Sequence, residues 1–287
     1  MATRLTWLGH ATVLIDFSGT RLLTDPVLRG RVAHLVRHGP VPQVPAGLDA
    51  VLLSHLHRDH ADLPTLRRMA PHVPVIGPHG TRAAMRRARC ADVREVVVGD
   101  VVDVAPGVRV RAVPARHDGR RNPLVGARSD ALGFVVEGAA RVYFAGDTDL
   151  FDGMARIGAE TLDVALLPVW GWGPRIGPGH LDPEGAARAA ARLRPRIAVP
   201  IHWGTFLPAG LRRRHGHLLQ TPGRAFAERM AALAPEVRAA VLAPGEALDL
   251  HPADVHPDQV MTSAAADRSI CPEPHDRPKG QTQWPPQ

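Results

Sequence analysis

The sequence predicts an α/β fold in which two β-sheets are sandwiched between helices. Strand patterns follow one another in the first part of the chain, and strands alternate with helices in the second part. The 287 residues suffice for one large domain, and 45% are hydrophobic against 22% charged, as is usual for a globular protein. These values exclude a wholly disordered chain, a collagen-like repeat and a disulfide-stapled miniprotein.

Strand and helix patterns can be placed along most of the first 250 residues. The predicted strands cover 4–8, 12–17, 21–24, 49–53, 74–77, 95–98, 101–104, 108–113, 131–137, 141–145, 162–167 and 197–200. The predicted helices cover 63–69, 81–88, 183–193 and 223–233. Ser18-Gly19 is typical of a tight turn, and Asp182 is the expected N-cap of the helix that begins with Pro183.

The end of the chain differs in composition from the rest. Seven of the 28 prolines follow residue 251, among hardly any apolar residues. Such a segment has no core of its own and is expected to be disordered. The sequence therefore predicts one domain over residues 1–250 and a proline-rich tail over 251–287.

The cysteines and the hydropathy pattern indicate the cellular compartment that the sequence predicts. Cys90 and Cys271 are the only cysteines and form no CxxC pair, which favours a reducing, cytoplasmic setting. Residues 1–10 lack the apolar stretch of a secretory signal. No apolar run approaches the ~20 residues that a membrane-spanning helix needs.

The charge balance is basic but does not by itself identify a partner. The net charge is +7, and 34 of the 35 basic residues are arginine. One group of arginines fits the solvated face of a helix, namely Arg82, Arg86, Arg87 and Arg89. Because only 4% of the residues are aromatic, little is available for base stacking, and nucleic acid is not the expected partner.

The most informative segment is the run His-Leu-His-Arg-Asp-His directly after the buried strand 49–53. It offers four potential metal ligands within six residues, namely His55, His57, Asp59 and His60. Packing needs no such density of imidazoles, and burying them unpaired is costly. Imidazole and carboxylate together suit zinc, manganese or iron, and the cluster is rich enough for two adjacent ions.

Further ligands are expected from later strand ends. His117 follows the predicted strand 108–113, Asp147 follows 141–145, and His202 follows 197–200. Each stands beside glycine, proline or small residues that let a ligand approach an ion. Taken singly, each would be an ordinary loop residue, but their common placement favours a shared metal site.

The motifs HLHRDH, FAGDTD and PIHWGTF resemble those of the metallo-β-lactamase superfamily. WLGHATVLI and the TDP at Asp25 resemble, more narrowly, the branch that includes N-acyl-phosphatidylethanolamine-hydrolysing phospholipase D and ascorbate-6-phosphate lactonase. The resemblance covers about residues 1–250. It implies an αββα sandwich with a dinuclear metal site at one edge.

The resemblance also implies roles for individual residues. His55, His57 and His117 would hold one ion, Asp59, His60 and His202 the other, and Asp147 would bridge both. Asp25 would orient ligand imidazoles, and His180 matches a histidine that lines the phospholipase active site. After His117 the chain departs from that enzyme, because Asp118 stands where the phospholipase has tryptophan.

These features together predict a metal-dependent hydrolase. Two divalent cations, Zn²⁺ first and Mn²⁺ or Fe as alternatives, would activate a bridging hydroxide for attack on a carbonyl or phosphorus centre. Asp59 and His180 are the candidate catalytic residues, with His180 holding the scissile group or protonating the leaving group.

The substrate is expected to be a small molecule or a lipid-derived one, with phosphodiester or phosphate-bearing compounds favoured by nearby arginines. The candidate substrate contacts are Trp170, Trp172, Arg175, Arg120 and Arg121, with simple packing left open for the tryptophans. A lactonase or ester hydrolase, a nucleic-acid-processing enzyme and a non-catalytic metal-dependent binding or sensor protein are the alternatives.

Overall fold

The computed structural model describes residues 3–69, 71–119 and 130–256. The strands are β1 (Thr3–Gly9), β2 (Thr12–Phe17), β3 (Thr20–Thr24), β4 (Arg31–Val32), β5 (Leu35–Arg37), β6 (Ala50–Leu52), β7 (Val75–Gly77), β8 (Val93–Glu95), β9 (Val101–Ala105), β10 (Val108–Asp118), β11 (Asp130–Glu137), β12 (Arg141–Phe144), β13 (Val164–Pro168), β14 (Ile197–Ile201), β15 (Phe206–Pro208), β16 (Arg238–Ala239) and β17 (Ala247–Leu250). The α-helices are α1 (Leu63–Met69), α2 (Thr81–Met85), α3 (Met154–Gly158), α4 (Pro183–Leu193), α5 (Arg212–His215) and α6 (Thr221–Leu233).

The strands form two seven-stranded sheets and a small third one. The first sheet has the order β17-β1-β2-β3-β6-β7-β8, and the second has the order β16-β14-β13-β12-β11-β10-β9. The third sheet contains β15, β5 and β4. Each large sheet begins with antiparallel hairpins and continues with parallel strands, which need helical crossovers.

The apolar side chains show how the layers pack. The largest cluster joins Trp7 and Ile15 of the first sheet to Phe134 and Val136 of the second, and continues to Ala190 of α4. A separate cluster joins the outer face of the first sheet to α1 and α2 through residues such as Val51, Leu66 and Met85. The order of layers is therefore helix, sheet, sheet, helix, which confirms the predicted α/β sandwich.

Most predicted elements lie within one or two residues of their positions in the structure. Strand 12–17 and helices 63–69 and 183–193 have the predicted bounds, and the Asp182 carboxylate caps α4 by accepting the Gly185 N–H at 2.7 Å. The prediction of a strand over 95–98 is wrong beyond Glu95. There the chain turns, because Val97 and Asp100 exchange hydrogen bonds instead of pairing with a strand.

The helix predicted over 81–88 ends at Met85 and continues as a 3₁₀ turn through Ala88. The structure also contains elements that were not predicted, among them α3 and the third sheet. Residues 257–287, which hold most of the predicted tail, lie outside the described residues. Within the described ranges, no helix has the length and apolar character needed to cross a membrane.

The topology brings several strand ends to one edge of the sandwich. β3 pairs with β6 in parallel in the first sheet, and β12, β13 and β14 run parallel in the second. The carboxyl ends of parallel strands meet at one edge of a sheet, where open α/β sheets bind their ligands. The segments that follow β3, β6, β12 and β14 carry Asp25, the histidine motif, Asp147 and His202, respectively.

Candidate metal centre

The seven predicted ligands lie together at this edge. His55, His57 and His117 form one group of ligand atoms that lie within 4.8 Å of one another, and Asp59, His60 and His202 belong to a second such group. His117 extends from within β10 and not from a loop beyond it, because β10 continues past Val113 through a register shift to Asp118.

Asp147 lies between the two groups. Its Oδ2 is 3.1 Å from His60 Nε2 and 3.9 Å from His55 Nε2, and its Oδ1 is 3.2 Å from His202 Nε2. The side chain is buried, with 2% of its surface exposed. Asp147 thus contacts one histidine of the first group and two of the second.

Hydrogen bonds on the far side of the imidazole rings fix how these rings face the centre. The Nδ1 atoms of four rings each have a partner, and the pairs are His55 with Ser54 Oγ at 2.9 Å, His60 with Asp25 Oδ2 at 2.6 Å, His117 with the Gly179 carbonyl at 2.9 Å, and His202 with the Trp170 carbonyl at 2.6 Å. This leaves Nε2 of each ring directed to the centre, whereas His57 presents Nδ1. Such outer hydrogen bonds are the usual way that proteins orient metal-ligating imidazoles.

Asp25 supports the centre without facing it. Its Oδ1 accepts the Ser54 N–H at 2.7 Å, and its Oδ2 accepts the Ser54 hydroxyl at 2.5 Å as well as contacting His60. The residue is fully buried and has a φ of 32°, a conformation that is uncommon for a residue with a side chain. Asp25 therefore ties the end of β3 to the start of the histidine motif.

Backbone strain recurs around the centre. His10 and His202 have φ values of 54° and 64°, and Gly146, which precedes Asp147, has a φ of 60°. A Cβ atom on Gly146 would lie 2.4 Å from Cβ of Ser54. Strained conformations persist only where the surrounding structure enforces them, and they concentrate at functional sites.

Burial and neighbouring charges shift the pKa values of the ligands. Burial lowers the pKa of His57 to about 4, and it also lowers the pKa values of His55, His117 and His202. These imidazoles are therefore neutral at pH 7, which is the form that binds metal ions.

His60 and Asp147 shift in the direction of the charged form. Burial alone would lower the pKa of His60, but the carboxylates of Asp147 and Asp25 raise it well above its ordinary value. Burial alone would raise the pKa of Asp147, but the imidazoles of His202 and His60 lower it well below its ordinary value. Without a metal ion, one imidazolium thus bridges two buried carboxylates.

His10 was not among the predicted site residues, although it stands in the WLGHATVLI motif. His10 Nε2 lies 3.2 Å from Asp59 Oδ2, and its ring packs against that of His202, tilted by 34° with 3.8 Å between centroids. Its ligand atom belongs to the second group, together with those of Asp59, His60 and His202. A single histidine in a turn usually has no functional role. Only its position within the WLGHATVLI motif could have indicated that His10 belongs to the site.

The donor set fits divalent metal ions. Asp147 Oδ1 is buried and has no hydrogen-bond partner, although it lies among imidazole nitrogens. The Nε2 atoms of His60 and His202 face each other at 3.1 Å, while both Nδ1 atoms are engaged elsewhere. Once His60 loses its extra proton, the two unprotonated nitrogens at that separation would repel each other unless a cation lay between them. Neutral imidazoles and carboxylates are the ligands that zinc, manganese and iron prefer.

His180 borders both the centre and a groove of about 750 Å³ beside α4. Its Nε2 lies 3.3 Å from Asp147 Oδ2, and 23% of its side chain is exposed. The groove also contains Asp149, Asp182, Glu184 and Arg188 among apolar side chains. It is therefore the described cleft through which a substrate would reach His180.

The other predicted substrate contacts lie in different surroundings. The Trp170 side chain is only 4% exposed and packs in the central core, so it offers little surface to a substrate. Trp172 is half-buried against the third sheet and contacts His34 edge-on, and Arg175 is exposed. Arg120 and Arg121 lie outside the described residues.

Comparison with known proteins places these features in context. A family model described as a beta-lactamase superfamily domain matches residues 20–203. N-acyl-phosphatidylethanolamine-hydrolyzing phospholipase D 1 of Caenorhabditis elegans is 30% identical over 226 residues, which are 70% of this chain and 64% of that protein. A metal-dependent hydrolase of Methanopyrus kandleri is 30% identical over 250 residues, covering 86% of this chain and 99% of that protein.

The fold also matches solved structures. A metallo hydrolase of the archaeon Ignicoccus hospitalis superposes with a TM-score of 0.66 at 22% identity, covering 88% of this chain and 99% of that one. At this identity the likeness shows a shared fold.

Proposed function

Since the chain belongs to the metallo-β-lactamase superfamily and is a metal-dependent hydrolase, we propose that it binds two divalent cations and hydrolyses a small phosphodiester or another phosphate-bearing molecule, lipids included. The observation that carries the proposal is the position of the Asp147 carboxylate, which contacts His55 of one ligand group and both His60 and His202 of the other. The relation to a phospholipase D supports the substrate class.

We assign the seven proposed ligands to two ions in the way that the family resemblance implies. His55, His57 and His117 would hold one, Asp59, His60 and His202 would hold the other, and Asp147 would bridge them. Two divalent cations held there, with Zn²⁺ proposed first, would supply a hydroxide nucleophile at neutral pH by lowering the pKa of bound water to ~7. The chain itself then has to hold the substrate and manage a proton.

His180 is the residue proposed to manage that proton. Its Nδ1 lies 3.2 Å from the carbonyls of both Gly177 and Pro178, which fixes the ring at the mouth of the groove. Burial would lower the pKa of His180, but its hydrogen bond to Asp147 raises it above the ordinary value. A protonated imidazole in this position can donate its Nε2 proton to a leaving oxygen.

Asp59 is proposed to contact the attacking water. Its side chain is 14% exposed, compared with 2% for Asp147, so of the two carboxylates it is the one more open to solvent. His10 holds the other side of the Asp59 carboxylate at 3.2 Å. Asp59 can therefore orient a water molecule while remaining fixed.

A lactonase or ester hydrolase is the second candidate, and the charge of the groove favours it. Asp149, Asp182 and Glu184 line the groove, and Arg188 is already paired with Glu184 at 2.6 Å. Uncompensated carboxylates repel an anionic substrate and tolerate a neutral ester.

Hydrolysis assays on protein with measured metal content distinguish the candidates. We expect turnover of bis-p-nitrophenyl phosphate or a phospholipid, and its loss on chelation. Turnover of lactones alone would replace the first candidate with the second. Full metal occupancy without turnover on any of the three would contradict both.

A variant of His180 tests its role separately. H180A is expected to keep its metal and to lower kcat by about 10²–10⁴-fold, the usual contribution of a general acid. H79A is the matched control, because the His79 side chain is 74% exposed and does not line the groove. Loss of metal in H180A would assign His180 to the ligands, and an unchanged kcat would remove it from the mechanism.

A further inference from the structure

A second cleft, which we call the arginine cleft, lies beside the metal-binding turn and has a volume of about 370 Å³. Arg29, Arg58, Arg67 and Arg87 line it, and Asp62 is its one acidic residue. The remaining lining is apolar. Four guanidinium groups and one carboxylate give the lining a net charge of +3.

The carboxylate of Asp62 is already committed to other partners. Arg29 binds it in a bidentate manner, with Nε and Nη2 each 2.8 Å from a carboxylate oxygen. The backbone N–H and the hydroxyl of Thr65 donate to the same carboxylate at 3.1 and 2.6 Å. Asp62 is 3% exposed, so it cannot neutralise the other three arginines.

The three other arginines keep most of their hydrogen-bonding capacity. Arg67 Nη2 donates one bond, to the Arg87 carbonyl at 2.6 Å. Across residues 3–69, 71–119 and 130–256, the guanidinium groups of Arg58 and Arg87 have neither a hydrogen bond nor a carboxylate partner. A guanidinium has five N–H donors, so the cleft offers many donors to one ligand.

We propose that the arginine cleft binds a phosphate monoester or a similar doubly charged oxyanion, at a site separate from the metal centre. Guanidinium forks match the oxygens of phosphate and form bidentate, charge-assisted hydrogen bonds. An anion also relieves the mutual repulsion of like charges that have no counter-charge in the described chain. The concave shape and small volume suit a compact group.

The cleft is connected to the metal centre through the chain itself. Arg58 stands between His57 and Asp59, with an exposed side chain that lines the cleft while its neighbours supply ligand atoms to the centre. The turn is closed by the N–H groups of His60 and Ala61, which donate to the His57 carbonyl at 3.1 and 2.8 Å. An anion on Arg58 therefore binds to the outer side of the turn that holds the ligands.

This site is tested by titrating the metal-loaded protein with sulfate and measuring the binding by calorimetry at constant ionic strength. Sulfate is the probe because it carries two charges and competes poorly for the metal ions. We expect saturable binding of one sulfate. R58Q and R87Q should each weaken it by about tenfold, the size expected for the loss of a charge-assisted hydrogen bond.

R86Q is the matched control. Arg86 lies beside Arg87 in the same 3₁₀ turn and is also exposed, but it does not line the cleft. R86Q should therefore bind sulfate within about twofold of the wild type, because it removes a surface charge that salt screens but no donor that lines the cleft. Metal content is measured for every variant, so that damage to the neighbouring turn is recognised.

A second arm distinguishes the sources of the phosphate group, with inorganic phosphate and vesicles containing phosphatidic acid, a lipid phosphate monoester, each competing with sulfate. Competition by inorganic phosphate indicates a free small molecule, and competition by both indicates that a lipid headgroup also fits. The proposal is wrong if sulfate binding does not saturate, if R86Q weakens binding as much as R87Q, or if inorganic phosphate does not displace sulfate.

Discussion

His10 Nε2 lies 3.2 Å from Asp59 Oδ2, although 48 residues separate the two in the chain. His10 is 1% exposed, and its N–H donates to Thr205 Oγ1 at 2.8 Å while its carbonyl accepts the His202 N–H at 2.8 Å. The turn between β1 and β2 is thereby tied to two ligand-bearing segments. His10 fixes the orientation of Asp59 and the position of His202 together.

Replacement of His10 should weaken the binding of one ion more than the other. We expect H10A to lower affinity for the ion held by Asp59, His60 and His202 by about 10–100-fold, the usual effect of losing an outer hydrogen bond to a ligand. Chelator competition with metal quantified by mass spectrometry measures this. H10Q, which retains a donor, should recover part of the affinity, and H79A should resemble the wild type. Equal weakening of both ions would contradict the assignment.

Asp147 should be needed for both ions. D147N keeps the size of the side chain but replaces the charged bridge with a neutral amide that carries only one oxygen. We expect fewer than two ions per chain and a loss of activity of about a thousandfold, because a metal ion contributes several kcal/mol to catalysis. D152N, at a fully exposed carboxylate, is the control. D147N with two ions and normal turnover would exclude a bridging role.

Gly146 should tolerate no side chain. G146A would place Cβ 2.4 Å from Cβ of Ser54, whose backbone and hydroxyl are held by Asp25. We expect the free energy of unfolding to fall by about 1–3 kcal/mol from overpacking, with weaker metal binding. G47A separates this clash from backbone strain, because Gly47 has nearly the same φ of 62° but no neighbour closer than 4.0 Å. Equal destabilisation in the two variants would remove the steric explanation.

The sequence predicted the sandwich, and it predicted which side chains gather at one edge of it, because both depend on local patterns. Apolar runs that end in histidine or aspartate mark strand ends, and the strand ends of parallel strands meet at one edge. His117 was the one predicted ligand whose position relative to its strand was wrong. The strand signal ended at Val113, but β10 continues through an irregular register to Asp118, which depends on its pairing with β11.

What the sequence did not predict depends on contacts between distant segments. β4, β5 and β15 have only two or three residues each, too few for a periodic pattern, and they form a sheet by pairing with one another. Likewise, nothing local distinguishes His10 from an ordinary turn residue. The carboxylates of the groove beside His180 were also missed, because Asp149 and Glu184 come from separate segments.

Metal binding should release a proton from His60, and Asp25 should control that release. The pKa of His60 is raised well above its ordinary value, with burial opposed by the carboxylates of Asp147 and Asp25, so the metal-free protein holds this proton at pH 7. A metal ion binds only the unprotonated ring, and its affinity must therefore fall as the pH falls below the raised pKa. D25N removes one of the two carboxylates and lowers this pKa. Calorimetry in two buffers of different ionisation enthalpy should show fewer protons released at pH 7 in D25N than in the wild type, by at most one, and equal release would show that Asp25 does not control this proton.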